Sequence, residues 1–169
     1  MTPAHRRYLV LEQGVGGAIL NFVLNAAIAW GLFRSLATIP LWGSQSIAGD
    51  TIATGFILPF LTCMIVTPLA RREVRRGRFG PVALATQDSL LARLPARTWQ
   101  RAVVIGLVGA GTAAPVMVLL LAAGGVTAMP FWPFIGFKAT FAAALGAVIG
   151  PLVALAALAD TPLEQRRAA

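Results

Sequence analysis

Apolar positions in this chain do not alternate with polar ones; they run on unbroken. Four segments, about residues 14–33, 51–70, 102–123 and 132–158, are apolar on all sides and interrupted only by scattered amides, hydroxyls, glycines and one lysine. Each has the roughly 20 residues needed to cross about 30 Å of hydrocarbon as a helix. None shows the period of two of a membrane β-strand, and only helices or closed barrels satisfy their backbone hydrogen bonds in lipid. The pattern therefore predicts an all-α integral membrane protein with four transmembrane helices. The fourth segment is long enough to tilt or to pass beyond the interface.

Composition agrees. The chain has 169 residues, 57% of them hydrophobic and 12% charged, too few polar groups to cover so much apolar surface in water. At this length the reading is a single membrane domain over 1–169. Single Cys63 and single His5 exclude an intrachain disulfide, a multi-cysteine metal site and a bis-histidine haem, so neither metal nor cofactor is expected.

The net charge of +8 sets direction rather than chemistry. Arg6 and Arg7 precede the first segment, and Arg166 and Arg167 follow the fourth. The 71–101 loop holds Arg71, Arg72, Arg75, Arg76, Arg78, Arg93, Arg97 and Arg101. The other two loops are almost free of cations, Arg34 excepted. The positive-inside rule then puts both termini and the long loop in the cytoplasm of a bacterial-type inner (plasma) membrane. Trp30, Trp42 and Trp132 fall at the outer interface and Trp99 at the inner one, where tryptophan is enriched. Arginines placed for topology, with no nucleic-acid motif, exclude nucleic acid as a partner. Arg6, Arg7 and the small residues Ala27–Ala29 imitate a cleavable signal, but the apolar run continues past them and Asn21 and Asn25 interrupt it. The segment reads as a retained span.

Within the basic loop, "TQDSLLARLPAR" predicts a short amphipathic helix. Thr86 or Asp88 caps it, Leu90, Leu91 and Leu94 form its apolar face, and Pro95 ends it. It is expected to lie on anionic inner-leaflet lipids. The loop 35–49 carries no charge before Asp50, and Ile39, Leu41 and Trp42 suggest that it lies in the interface or folds back over the bundle. The chain also divides into two similar hairpins, with "VTPLA" at Pro68 opposite "IGPLV" at Pro151, an offset of 83 residues. Both run in the same direction across the membrane. Pro59, Pro68, Pro115 and Pro151 are each candidate kinks.

The few polar groups in apolar surroundings are the candidate functional residues. Asn21 and Asn25 are four apart and share one helical face near midplane, with Gly17 and Ala29 extending it. Such amides either join helices or line a polar passage. Lys138, the only lysine, begins a small-residue stripe of Ala142, Gly146, Gly150 and Ala154 at i+4 steps, a helix-packing face that includes GxxxG. It lies about 9 Å inside the outer interface, and its stem can carry the ammonium toward Asp50, about 7.5 Å nearer that interface. With Arg34 these residues are expected to form an outer cluster, serving either as a static pair or as a mouth that admits an anion. Glu12 is placed at the inner interface beside Arg6 and Arg7, and Cys63 is expected to be inert.

No HExxH, GxSxG, CxxC or phosphate loop occurs, so the chain is not expected to be an enzyme. It reads as a small permease or channel-like protein for a small solute, with Asn21, Asn25, Asp50, Lys138 and Arg34 along the path. The alternative is a non-catalytic accessory or assembly subunit of a larger membrane complex. Four helices enclose little space, so a homo-oligomer or a membrane-protein partner is expected in either case.

Overall fold

The structure, a computed structural model, describes residues 2–78, 94–95 and 97–168, with side chains as far as 159. Among the described residues, four helices are long and apolar enough to cross a membrane: Pro3–Phe33, Ile47–Arg75, Thr98–Ala123 and Phe131–Ala159. We number them spans 1 to 4. Each contains its predicted segment and extends it.

Span 1 is built from three pieces: α1 (Pro3–Arg7), a π-helical stretch (Tyr8–Gly16) and α2 (Gly17–Phe33). Thr2 caps it, its Oγ1 accepting the His5 N–H at 3.4 Å. His5 is a buried helical residue whose Nδ1 lies 2.6 Å from Thr2 Oγ1. The π stretch has no counterpart in the hydrophobic pattern, since the pattern reports burial and not turn width. Glycine suits the wider turn: a Cβ on Gly14 or Gly16 would stand 3.4 Å from the carbonyl oxygen five residues back.

Span 2 is one helix, α3 (Ile47–Arg75), begun by Ser46, whose Oγ accepts the Gly49 N–H at 3.2 Å. It continues through Pro59 and Pro68. At its far end Gly77 adopts φ +74° and closes a Schellman turn. Its N–H donates to the Val74 carbonyl at 3.0 Å, and that of Arg78 donates to Glu73 at 3.1 Å. Span 3 breaks at Thr112 into α4 (Thr98–Gly111) and α5 (Ala113–Ala123). Pro115 causes the break, because its ring removes an N–H and crowds the carbonyl of Gly111. Of the four candidate kinks, only this proline interrupts its helix. Span 4 opens α6 (Phe131–Ala168).

The all-α expectation needs one amendment. Thr38–Pro40 (β1) and Ala128–Pro130 (β2) pair antiparallel, with Ile39 opposite Met129 at the centre. The uncharged loop therefore folds back over the bundle. Ile39, Leu41 and Ile47 are buried with Ala29, Phe33 and Phe134 beneath the ribbon, and the rings of Phe33 and Phe134 meet edge-on at 4.8 Å. At the opposite, terminal end Tyr8 and Leu9 pack with Ala70, Ala154, Ala157 and Leu158. Three tryptophans, Trp30, Trp42 and Trp132, are exposed near the ribbon end, and Trp99 is exposed near the terminal end.

Span 1 lies along span 4, span 3 along span 2, and spans 2 and 4 meet in the middle. Lipid is as apolar as these helices, so close packing rather than removal from water favours their contact. Glycine permits it on both sides. A Cβ on Gly109 would stand 2.3 Å from the Gly55 carbonyl oxygen, and one on Gly150 2.6 Å from that of Gln13. Spans 1 and 2 have no comparable contact; both lean on span 4 and leave a slot between them.

Candidate functional site

The slot is a groove of about 600 Å³. Leu20, Leu24, Ile28 and Leu32 form its lip on span 1, and Ile57, Leu61, Ile65 and Leu69 form its lip on span 2. Each lip is a ladder at i+4 steps covering about 18 Å of helix. All eight side chains are roughly half exposed on the outside of the bundle, so the groove opens sideways. Span 4 closes its back, where Gly146 and Gly150 add no side chain to narrow it.

Several polar residues of the apolar spans converge here. Asn21, Asn25, Asp50 and Lys138 all line this one groove, with Thr54 and Thr62 beside them. Asp50 stands in the first turn of α3, where the free N–H groups favour a carboxylate. Lys138 stands two turns into α6. Their side chains form a direct ion pair at the ribbon end of the groove. Lys138 is only 3% exposed, so each charge depends on the other: a buried ammonium or carboxylate alone would be costly.

Asn21 and Asn25 both hydrogen-bond within their own helix. Asn21 Nδ2 donates to the Gly17 carbonyl at 2.9 Å and Asn25 Nδ2 to the Asn21 carbonyl at 3.0 Å. Both bonds stay within span 1, so the amides do not join helices by hydrogen bonds. The carbonyl acceptor fixes which way each amide is turned, with nitrogen toward the backbone. Asn21 is also pressed against span 4, where a Cβ on Gly146 would stand 2.5 Å from its Nδ2. Gly17 faces the same place, 3.8 Å from the Gly146 carbonyl oxygen by the same measure. Ala142 and Ala154 of the stripe are fully buried.

The terminal end of the groove is lined by Glu12 and Gln13. Glu12 is not beside Arg6 and Arg7 as expected. Arg78, folded back by the Schellman turn at Gly77, reaches Glu12 at 3.0 Å and Glu73 at 3.0 Å. It thus links spans 1 and 2, which hardly touch elsewhere. The hydrogen bond to Glu73 and the nearby Glu12 carboxylate raise the pKa of the Arg78 guanidinium above its ordinary value.

Arg34 does not join the cluster. Its guanidinium lies 5.3 Å over the ring of Trp30, four residues back on its own helix, and it does not line the groove. Arg101, read only as a topology charge, is fully buried, and its Nε donates to the Pro95 carbonyl at 3.1 Å. Cys63 is buried away from the groove, its Sγ 3.6 Å from Thr67 Oγ1. The amphipathic helix expected at 86–95 lies outside the described residues except for Leu94 and Pro95.

Three groups were missed by sequence reasoning: Arg78, Arg101 and the glycine contact of spans 2 and 3. Only the last left a signal, in the small residues Gly55, Gly106 and Gly109. No family model, curated protein or solved structure matches this chain.

Proposed function

We propose that this chain is a small multi-pass permease that passes a small solute along the groove between spans 1 and 2. The observation that carries this reading is the convergence of Asn21, Asn25, Asp50 and Lys138 on one groove. Scattered packing amides and a register-fixing ion pair have no reason to share an opening. Polar residues within apolar spans mark pathways when they face a common space. In this reading the ribbon end with Asp50 and Lys138 is the outer mouth, and Glu12 with Arg78 marks the cytoplasmic end. Both termini and the 71–101 loop are cytoplasmic in a bacterial-type inner membrane, and the loop's arginines rest on anionic lipid head groups. No step requires a catalytic group. The shared pairing pattern, span 1 on 4 and span 3 on 2, supports two duplicated hairpins related about the membrane normal.

Span 1 packs on span 4 along one side only, which favours a second reading. In it the chain is an accessory subunit, and the groove receives a helix of a partner or of a second copy. Flux separates the two. Purified protein in liposomes is tested with glycerol, urea, ammonium, choline, acetate and a long-chain amine. The permease reading expects at least one to cross faster than through protein-free liposomes, and expects Asn25→Leu to abolish the gain while helical content is retained. No accelerated solute, together with a stoichiometric membrane partner on native purification, would overturn it in favour of the subunit.

A further inference from the structure

The groove's opening and its acceptors specify a ligand class, an inference that rests on the groove being the binding path proposed above. We propose that the ligand enters sideways from the lipid and is a single-chain amphiphile bearing a hydrogen-bond donor, a hydroxyl or an amine.

Both lips are aliphatic over about 18 Å, more than half the hydrocarbon thickness. A hydrated ion or sugar would lose its water against such walls without replacement, whereas an apolar chain loses nothing there. The lips are exposed on the outside of the bundle, so a chain already in the bilayer reaches the groove without crossing a polar barrier.

The amides set the polar end. Asn21 and Asn25 each commit Nδ2 to a backbone carbonyl of their own helix. Neither Oδ1 accepts a hydrogen bond among the described residues, although Asn25 is only 8% exposed. The groove thus offers two stacked acceptors in apolar surroundings, where an unmet acceptor is costly and a donor is bound selectively. Asp50 and Glu12, the carboxylates that line the groove, are engaged by Lys138 and Arg78. A ligand carrying only acceptors, such as an ether, would gain nothing at the amides.

Photolabelling of the full-length protein in liposomes tests this. The probes are a diazirine-bearing long-chain alcohol and the methyl ether of the same chain, with labelled residues mapped by mass spectrometry. Leu119 and Leu120 of span 3, also exposed, report ordinary lipid contact. The alcohol is expected to label Leu24 and Leu61 about fivefold more than these two, the size of effect one well-placed hydrogen bond allows. The ether should show no such excess. Asn25→Leu should reduce alcohol labelling to the ether level, and Ala53→Trp, which fills the groove from span 2, should bring alcohol labelling of the lips down to the span 3 level. Unchanged span 3 labelling shows that each variant is folded. Equal labelling by alcohol and ether, or an alcohol preference that survives Asn25→Leu, overturns the proposal. If solute flux still depends on Asn25 in that case, the permease reading stands alone. Alcohol preference without any flux upholds the ligand class and overturns the permease.

Discussion

A lysine in an apolar helix survives by reach and by company. Lys138 has both: its stem spans the depth separating it from Asp50, and the two charges meet in a nearly closed setting. Removing one partner strands the other, so Lys138→Met is expected to cost about 3–5 kcal/mol of stability. The double variant Asp50→Asn with Lys138→Met should recover most of that loss. Thermal unfolding in detergent reads both; equal losses in the single and double variants would mean that the pair is not coupled. The meeting of Asp50 and Lys138 was legible in the sequence because helical rise fixes depth and the small-residue stripe fixes which way Lys138 faces. Arg34 was misjudged for a reason at the same scale. Rise alone does not say where a side chain at a helix end turns, and that of Arg34 turns over the Trp30 ring one turn back. The amides were half legible. Their spacing placed them on one face, but whether they bond across helices or to their own backbone depends on how close span 4 comes, and Gly146 decides that.

Helices follow from hydrophobic runs, and all four spans were readable on that ground. Their irregularities were not. A π turn and a two-stranded ribbon involve hydrogen-bond register, and a chain apolar on every face carries no register signal. Proline content pointed to four candidate kinks, yet only Pro115 interrupts a helix; Pro59 is instead packed against Gly109, where a Cβ would stand 3.0 Å from its Cγ. That contact makes span 3 the most sensitive to a single added carbon. Gly109→Ala would put a methyl 2.3 Å from the Gly55 carbonyl oxygen, and backbone cannot swing aside as a side chain can. A loss of about 1–3 kcal/mol is expected, the usual cost of overpacking. Gly136→Ala is the control, since no atom lies within 4 Å of the added carbon. A midpoint shift no larger for Gly109→Ala than for Gly136→Ala would show that spans 2 and 3 are looser than described.

The whole molecule is held together across its two halves rather than within them. Span 1 belongs to span 4 and span 3 to span 2, so each hairpin's outer helix packs on the other hairpin. Two fragments, 1–85 and 86–169, are therefore expected to assemble when expressed together, and a tag on one should retain the other in detergent. Recovery of the tagged fragment alone would show that the covalent link is needed. The 83-residue likeness between the halves was visible in the sequence, but their interlocking was not, because apolar runs do not say which run they will face.

The arginine link between spans 1 and 2 has a consequence of its own. Arg78 and Glu12 are about half exposed, whereas Asp50 and Lys138 are nearly enclosed. Dissolved ions screen the first pair and barely reach the second. The link between spans 1 and 2 thus senses ionic strength, whereas the link between spans 2 and 4 ignores it, which gives the two ends of the groove unequal compliance in salt.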